Sequence, residues 1–213
     1  MGALTPSPSR SGGRVDPRSG MRGAMASGDD EERLIVRARA GDQAAFGVLV
    51  ERHSSRLKRL LYRITRDCDT AQDALQESLT RAWLNIGRFE GRSRFSTWLT
   101  RIGINEAYNG MRRQPAETLE LDDQVGERVP GWAQRPDELF ESREFLGAID
   151  QALARLPLDY RTAVTLRDVE GLSTSEAAEI LGIGESALKS RVHRGRMALR
   201  AQLDDYFKSG YVK

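Results

Sequence analysis

The sequence predicts an all-α chain of two small helical domains joined by a flexible linker, the C-terminal one containing a helix-turn-helix. Apolar residues recur at helical spacing on both sides of residues 114–136, a stretch rich in acids, Pro and Gly that has no such period. The 213 residues have room for one large or two small domains, and a 39% hydrophobic content suits small helical units. Near the C-terminus, STSEAAEILGIGESALKSRVHRGRMALR sets out a cap, an apolar helix, a glycine turn and a basic helix in that order.

Residues 1–28 are rich in Gly, Ser, Pro and Arg without periodicity. They are expected to be disordered, because they cannot bury enough apolar surface to offset ordering entropy. Met21 and Met25 stand as alternative translation starts. The first domain is assigned to 29–113, where Phe46, Leu49, Val50, Leu57, Leu60, Leu61 and Ile64 form a stripe that includes His53, read as a histidine at the core edge. Asp69 and Gln72 are the expected caps of the next helix, and Cys68 beside them is expected to be buried or at a boundary. That helix turns Leu75, Leu79, Ala82, Trp83 and Ile86 inward. A second face holds Asp73, Gln76, Glu77, Thr80 and Leu84, a mixture of acid, amide and aliphatic groups that can seat a partner helix.

A loop from Arg88 to Arg94 then leads into a helix marked by Phe95, Trp98, Leu99 and Ile102. Phe89, Phe95 and Trp98 fit an ordinary core. The same loop, with Arg92 and Arg94 between Phe89 and Phe95 and with Arg101, Arg112 and Arg113 beyond, also suits single-stranded nucleic acid, which needs a cationic funnel and stacking or pocket-forming groups. The 23 residues of the 114–136 linker could extend about 80 Å at ~3.5 Å each, comparable to two turns of B-form DNA at about 34 Å per turn.

The second domain is assigned to 137–207, with a tail at 208–213. Leu139, Leu146, Ile149, Leu153 and Leu156 indicate one helix, and Pro157 begins another that runs to about Val169. Ser173 and Glu176 have the S-x-x-E spacing in which hydroxyl and carboxylate reciprocally satisfy free amide donors at a helix start. Ala177, Ile180 and Leu181 share its apolar face, and Gly182 supplies the left-handed residue that ends it. In the second helix Leu188, Val192 and Leu199 should pack inward, leaving Ser186, Lys189, Ser190, His193 and Arg196 outward to meet a groove. From Glu185 to Arg200, Lys189, Arg191, Arg194, Arg196 and Arg200 oppose Glu185, five charges less one, an excess of four that attracts phosphate.

Composition narrows the function classes. The formal net charge of +2 conceals segregation: residues 88–113 carry six Arg against Glu90 and Glu106, or +4, and 114–136 carry five acids against Arg128 and Arg135, or −3. One cysteine allows neither an intrachain disulfide nor a cysteine metal cluster, and His193 has no neighbouring ligand for a metal. There is no phosphate-cradling glycine loop and no Cys-His pair, so neither a catalytic residue nor a cofactor is expected. Without an apolar run of about 20 residues or a signal-peptide core, membrane insertion is not expected and the chain is assigned to the cytoplasm.

The segments GDQAAFGVLVERH, DALQESLTRAW and RFSTWLTRIGINEAYN, followed by LPLDYRTAVTLRDVEGLS and ALKSRVHRGR, resemble in order regions two and four of the extracytoplasmic-function group of bacterial sigma factors. The resemblance covers nearly everything after residue 28. It implies that Asp73, Gln76 and Glu77, with Thr80 and Leu84 on the same face, grip the β′ clamp coiled coil of RNA polymerase core, with the β flap as a further contact. It implies that Arg81 and Asn105 assist strand separation at the minus-ten element, the loop from Phe89 to Phe95 pocketing an everted base. Lys189, Ser190, His193 and Arg194 would then read or grip duplex at the minus-thirty-five element. An anti-sigma factor is a further implied partner. Ser186 and Ala187 replace the Gly-Thr pair common at the start of the family's recognition helix, so promoter preference does not transfer. The competing reading is a helix-turn-helix regulator that is not a sigma subunit, which binds duplex without polymerase and shows no preference for melted DNA.

Overall fold

A computed structural model of the chain describes residues 30–113 and 143–208. The expectations for 1–28, for the 114–136 linker, for Leu139 and for the tail beyond Lys208 lie outside the described residues. Among the described residues there is no strand. Residues 30–39 form α1, followed by α2 (Gln43–Thr65), α3 (Cys68–Asn85) and α4 (Phe95–Arg113). After the undescribed segment come α5 (Arg143–Arg155), α6 (Leu158–Val164), α7 (Thr174–Leu181) and α8 (Glu185–Lys208).

Backbone contacts divide the chain into two compact units, one ending at Leu49 and the other running from Val50 onward. In the first, Leu34, Ala38, Ala45, Phe46 and Leu49 are buried, and Asp42 accepts from the Ala45 amide at 3.0 Å where α2 begins. The second contains both the α3–α4 and the α5–α8 helices, so the division does not fall between the two expected domains.

In this second unit α3 and α4 pack along most of their length, and α8 is the spine against which α5, α6 and α7 lie. The buried residues Leu57, Leu60, Leu61 and Ile64 of α2 keep helical spacing, as do Leu99, Ile104 and Ala107 of α4 and Leu188 and Val192 of α8. Each such row removes apolar surface from water at about 25 cal/mol per Å². The approach of α8 to α6 depends on Gly195: a Cβ there would stand 2.7 Å from Val164 Cγ2 and 3.3 Å from the Tyr160 carbonyl oxygen.

Two local expectations are corrected. Asp67, rather than Asp69 or Gln72, caps α3, its Oδ1 accepting from the Thr70 amide at 2.7 Å from an extended backbone. Cys68 consequently occupies the first helical position and is exposed, not buried. The helix begun at Pro157 is also not uniform, since α6 passes at Thr165 into a π-helical turn that ends at Val169. That turn aims Glu170 at α2, where Arg56 and Arg63 donate to its carboxylate.

Candidate nucleic-acid interface

The helix-turn-helix is built by local chemistry. Ser173 Oγ accepts from the Glu176 amide at 3.1 Å while the Ser173 amide donates to Glu176 Oε2 at 3.0 Å, closing the reciprocal cap. Gly182, at φ 64° and ψ 32°, ends α7 in the left-handed region, and the Ile183 amide reaches the Ala178 carbonyl at 3.1 Å. The hydrogen bonds from Ser173 hold the Glu176 carboxyl below its ordinary range. A depressed carboxylate stabilises the fold above its unfolded pKa and loses that contribution as pH falls through the lower folded value. We therefore expect Ser173→Ala to cost about 1 kcal/mol at neutral pH. In thermal melts taken downward from pH 5, the wild-type advantage should shrink as Glu176 protonates.

On α8, Leu188 and Val192 are buried, whereas Ser186, Lys189, Ser190 and His193 are exposed together on the outward row. Arg194 is also exposed, its guanidinium 3.5 Å from the Tyr160 hydroxyl. Arg196 is exposed but engaged, donating to both oxygens of Asp168 at 2.9 and 2.5 Å, and Arg191 pairs with Asp159 at 2.9 Å. Acids from the α6 segment thus compensate two of the five cations. The reading row carries less net charge than the linear count of four implied, and Lys189 is its central cation.

The predicted polymerase-binding residues do share one surface of α3. Asp73, Gln76, Glu77, Thr80 and Leu84 are all exposed, Leu84 by 74%. The first four line a depression of about 590 Å³ between α3 and α4. An aliphatic side chain so exposed at the end of an acidic row matches a partner that offers both a cation and an apolar contact.

Adjoining that depression, with Arg81 and Glu106 on the boundary of both, a cleft of about 310 Å³ is lined further by Asn85, Arg88, Trp98, Ile102 and Asn105. Arg81 is oriented by two carboxylates, Glu77 Oε1 at 3.0 Å and the buried Glu106 Oε1 at 3.1 Å. Arg88, Arg92, Arg94, Arg101 and Arg112 are exposed, Arg92 paired with Glu90; the Arg113 side chain lies outside the described residues. Phe89 and Phe95 do not present stacking faces: they are 5% and 2% exposed and form an aromatic cluster with Trp98, with centroids 5.9 Å apart for Phe89–Phe95 and 5.1 Å for Phe89–Trp98. Both side chains thus face inward, packed beneath the loop. His53 completes that cluster, 5.4 Å from Phe95, in keeping with a core-edge histidine.

Trp98, read from sequence as core, is half-buried and reaches the cleft. Asn85 and Arg88 were likewise not anticipated there. Helical spacing contained the signal, because Trp98, Ile102 and Asn105 stand at i, i+4 and i+7.

Comparison with known proteins places these surfaces in context. Residues 49–116 match the family model for sigma-70 region 2, and 146–199 match that for sigma-70 region 4. The ECF RNA polymerase sigma factor SigW of Bacillus subtilis is 35% identical over 182 residues, which cover 82% of this chain and 97% of SigW. Among solved structures, CnrH in complex with the cytosolic domain of CnrY aligns with a TM-score of 0.61 at 27% identity, covering 83% of this chain and 98% of that one. The sigma factor RpoE in complex with the anti-sigma factor NepR from Bartonella quintana aligns with a TM-score of 0.56 at 26% identity, covering 74% of this chain and 96% of that one.

Proposed function

Because this chain belongs to the extracytoplasmic-function sigma factors, we propose that its two DNA-facing surfaces divide one task, α8 holding duplex and the α3–α4 cleft receiving the unwound strand. As an alternative sigma factor it binds RNA polymerase core, directs it to specific promoters and promotes their melting. The domain assignments 29–113 and 137–207 correspond in this reading to region two and region four. The work is binding, and bond chemistry is left to the polymerase. No helix among the described residues is long and apolar enough to cross a membrane, and we assign the chain to the cytoplasm, where its template lies. By analogy with RpoE and NepR, we also assign it an anti-sigma partner.

The observation that carries the division is the occurrence on one chain of a capped helix-turn-helix with an exposed polar row and, separately, a cationic cleft with an aromatic wall. Duplex readers need only the first. Unstacking a base costs a few kcal/mol, so a preformed cleft must offer comparable stabilisation to melted DNA alone.

Run-off transcription with purified core polymerase tests the whole reading: specific initiation is expected on adding the chain. Lys189→Ala should weaken upstream duplex recognition by about tenfold, roughly 1.4 kcal/mol, in the range of one direct contact. Asp73→Ala should lower polymerase affinity by a similar factor while DNA reading persists. A regulator outside the sigma family would bind promoter duplex unaided, and polymerase binding without initiation would mark a decoy.

A further inference from the structure

Two acids meet one cation at the wall shared by the α3 depression and the adjoining cleft. Arg81 Nε lies 3.0 Å from Glu77 Oε1 and 3.1 Å from Glu106 Oε1. Nε carries a single hydrogen, and it is donated to Glu77. The two carboxylates stand in different surroundings. Glu77 lies four residues before Arg81 on α3 with its side chain 53% exposed, whereas Glu106, on α4, is 8% exposed. Both line the depression assigned to polymerase, but of the two only Glu106 also lines the cleft assigned to the unwound strand, beside Asn105.

A carboxylate is costly to bury unless a cation or hydrogen bonds compensate it, and Arg81 is the cation that meets Glu106. An exposed pair four residues apart on one helix, such as Glu77 and Arg81, contributes little and exchanges readily with water. The proposed function also makes a second demand on Glu77, which faces the polymerase clamp. When a partner cation takes that carboxylate, the Nε hydrogen can turn to Glu106. The anchor that persists while DNA is open is therefore the buried one. With Nε held, the four remaining N–H donors of the guanidinium belong to its terminal nitrogens, whose fork suits a phosphate. A half-exposed arginine without such an anchor would lose more side-chain freedom on meeting the strand.

We propose that Glu106 is a positioning residue for promoter opening: from its buried site on α4 it fixes Arg81 at the mouth of the cleft for the unwound strand, while Glu77 competes for the same nitrogen. This role rests on the sigma-factor reading for the identity of the strand. Which acid holds Arg81 toward a polyanion is a property of the chain itself. The signature is one of sign. Removing an acid beside a nucleic-acid surface raises affinity on electrostatic grounds alone, whereas loss of a positioning acid lowers it.

The test measures binding of the full chain, by fluorescence anisotropy, to a labelled single strand of mixed sequence about 12 nucleotides long. Opening is measured beside it, at saturating core polymerase, on a promoter from which the wild type initiates. Glu106→Ala should weaken strand binding and opening by about tenfold, the lower end of what one hydrogen bond to a charged group contributes. Glu106→Gln, which keeps an acceptor beside Nε, should return both to within about threefold of wild type. Glu77→Gln should instead tighten strand binding, by about twofold or more beyond Asp73→Asn, an equal loss of charge on the same row. In an Arg81→Ala background Glu106→Ala should have no further effect. Leu99→Ala, buried on α4 and away from the cleft, should lower the melting temperature without weakening the strand, which separates positioning from folding.

Strand binding that is unchanged or rises with Glu106→Ala, a Glu106→Gln variant no better than Glu106→Ala, or a loss that persists undiminished in the Arg81→Ala background overturns the positioning role. Equal gains from Glu77→Gln and Asp73→Asn overturn the competition. Failure of the wild type to initiate with polymerase refutes the sigma-factor reading, while strand binding still decides which acid holds Arg81.

Discussion

Leu188→Ala is expected to lower the stability of the chain by about 2–5 kcal/mol, the cost of removing a large buried side chain from a packed site. Leu188 is fully buried on the inner row of α8, where the second helix of the motif meets its neighbours. Three methyl-sized groups lost there leave a cavity that the capped, glycine-bounded turn cannot collapse around, since α7 is held at both ends. At about 2–4 °C per kcal/mol for a chain of this size, the melting temperature should fall by some 4–20 °C. Lys189→Ala, one residue on, gives the informative contrast. Lys189 is exposed, so its loss should alter stability by no more than about 0.5 kcal/mol while duplex affinity drops. Equal melting temperatures for the two variants would contradict the assignment of α8 into an inner packing row and an outer reading row.

The helix-turn-helix was legible because its signals are local. A Ser and a Glu three apart, a terminal glycine and an apolar row at helical spacing are all read within 28 residues of chain, and each recurs in the structure. The α3 start shows where locality is not enough. Asp67, Asp69 and Gln72 all have capping chemistry, and only the backbone, extended at Asp67 and helical after it, selects among them. Aromatic residues beside arginines posed a harder ambiguity, since a stacking platform and a core edge have the same composition. Burial sets Phe89 and Phe95 inside the aromatic cluster and leaves Trp98 at the cleft.

What sequence reasoning could not reach was long-range pairing. The compensation of Arg196 by Asp168 and of Arg191 by Asp159 comes from another helix, so a count along α8 overstates its field. The clamp on Glu170 joins residues 107 and 114 positions apart, a separation over which neither periodicity nor capping carries information.

Trp98→Ala should impair promoter opening by about 5- to 150-fold with upstream duplex recognition intact. The range is that of one base stacked on an aromatic side chain, about 1–3 kcal/mol, expressed as a ratio. Trp98 provides the aromatic wall of the cleft in which Arg81 and Asn105 stand, and Phe89 and Phe95 fix its ring from behind at 5.1 and 5.7 Å. An indole held in this way loses little freedom when a base arrives, so most of the stacking energy is available to offset unpairing. The substitution also removes packing from the aromatic cluster, so a stability-matched comparison is required. Leu99→Ala supplies it, because Leu99 is buried on the neighbouring position of α4 and does not line the cleft. Both variants should melt earlier, yet only Trp98→Ala should lose permanganate reactivity of the minus-ten thymines in complexes with polymerase, and Trp98→Phe should recover most of it. If Trp98→Ala opens DNA as well as Leu99→Ala does, the cleft is not where the unwound strand rests.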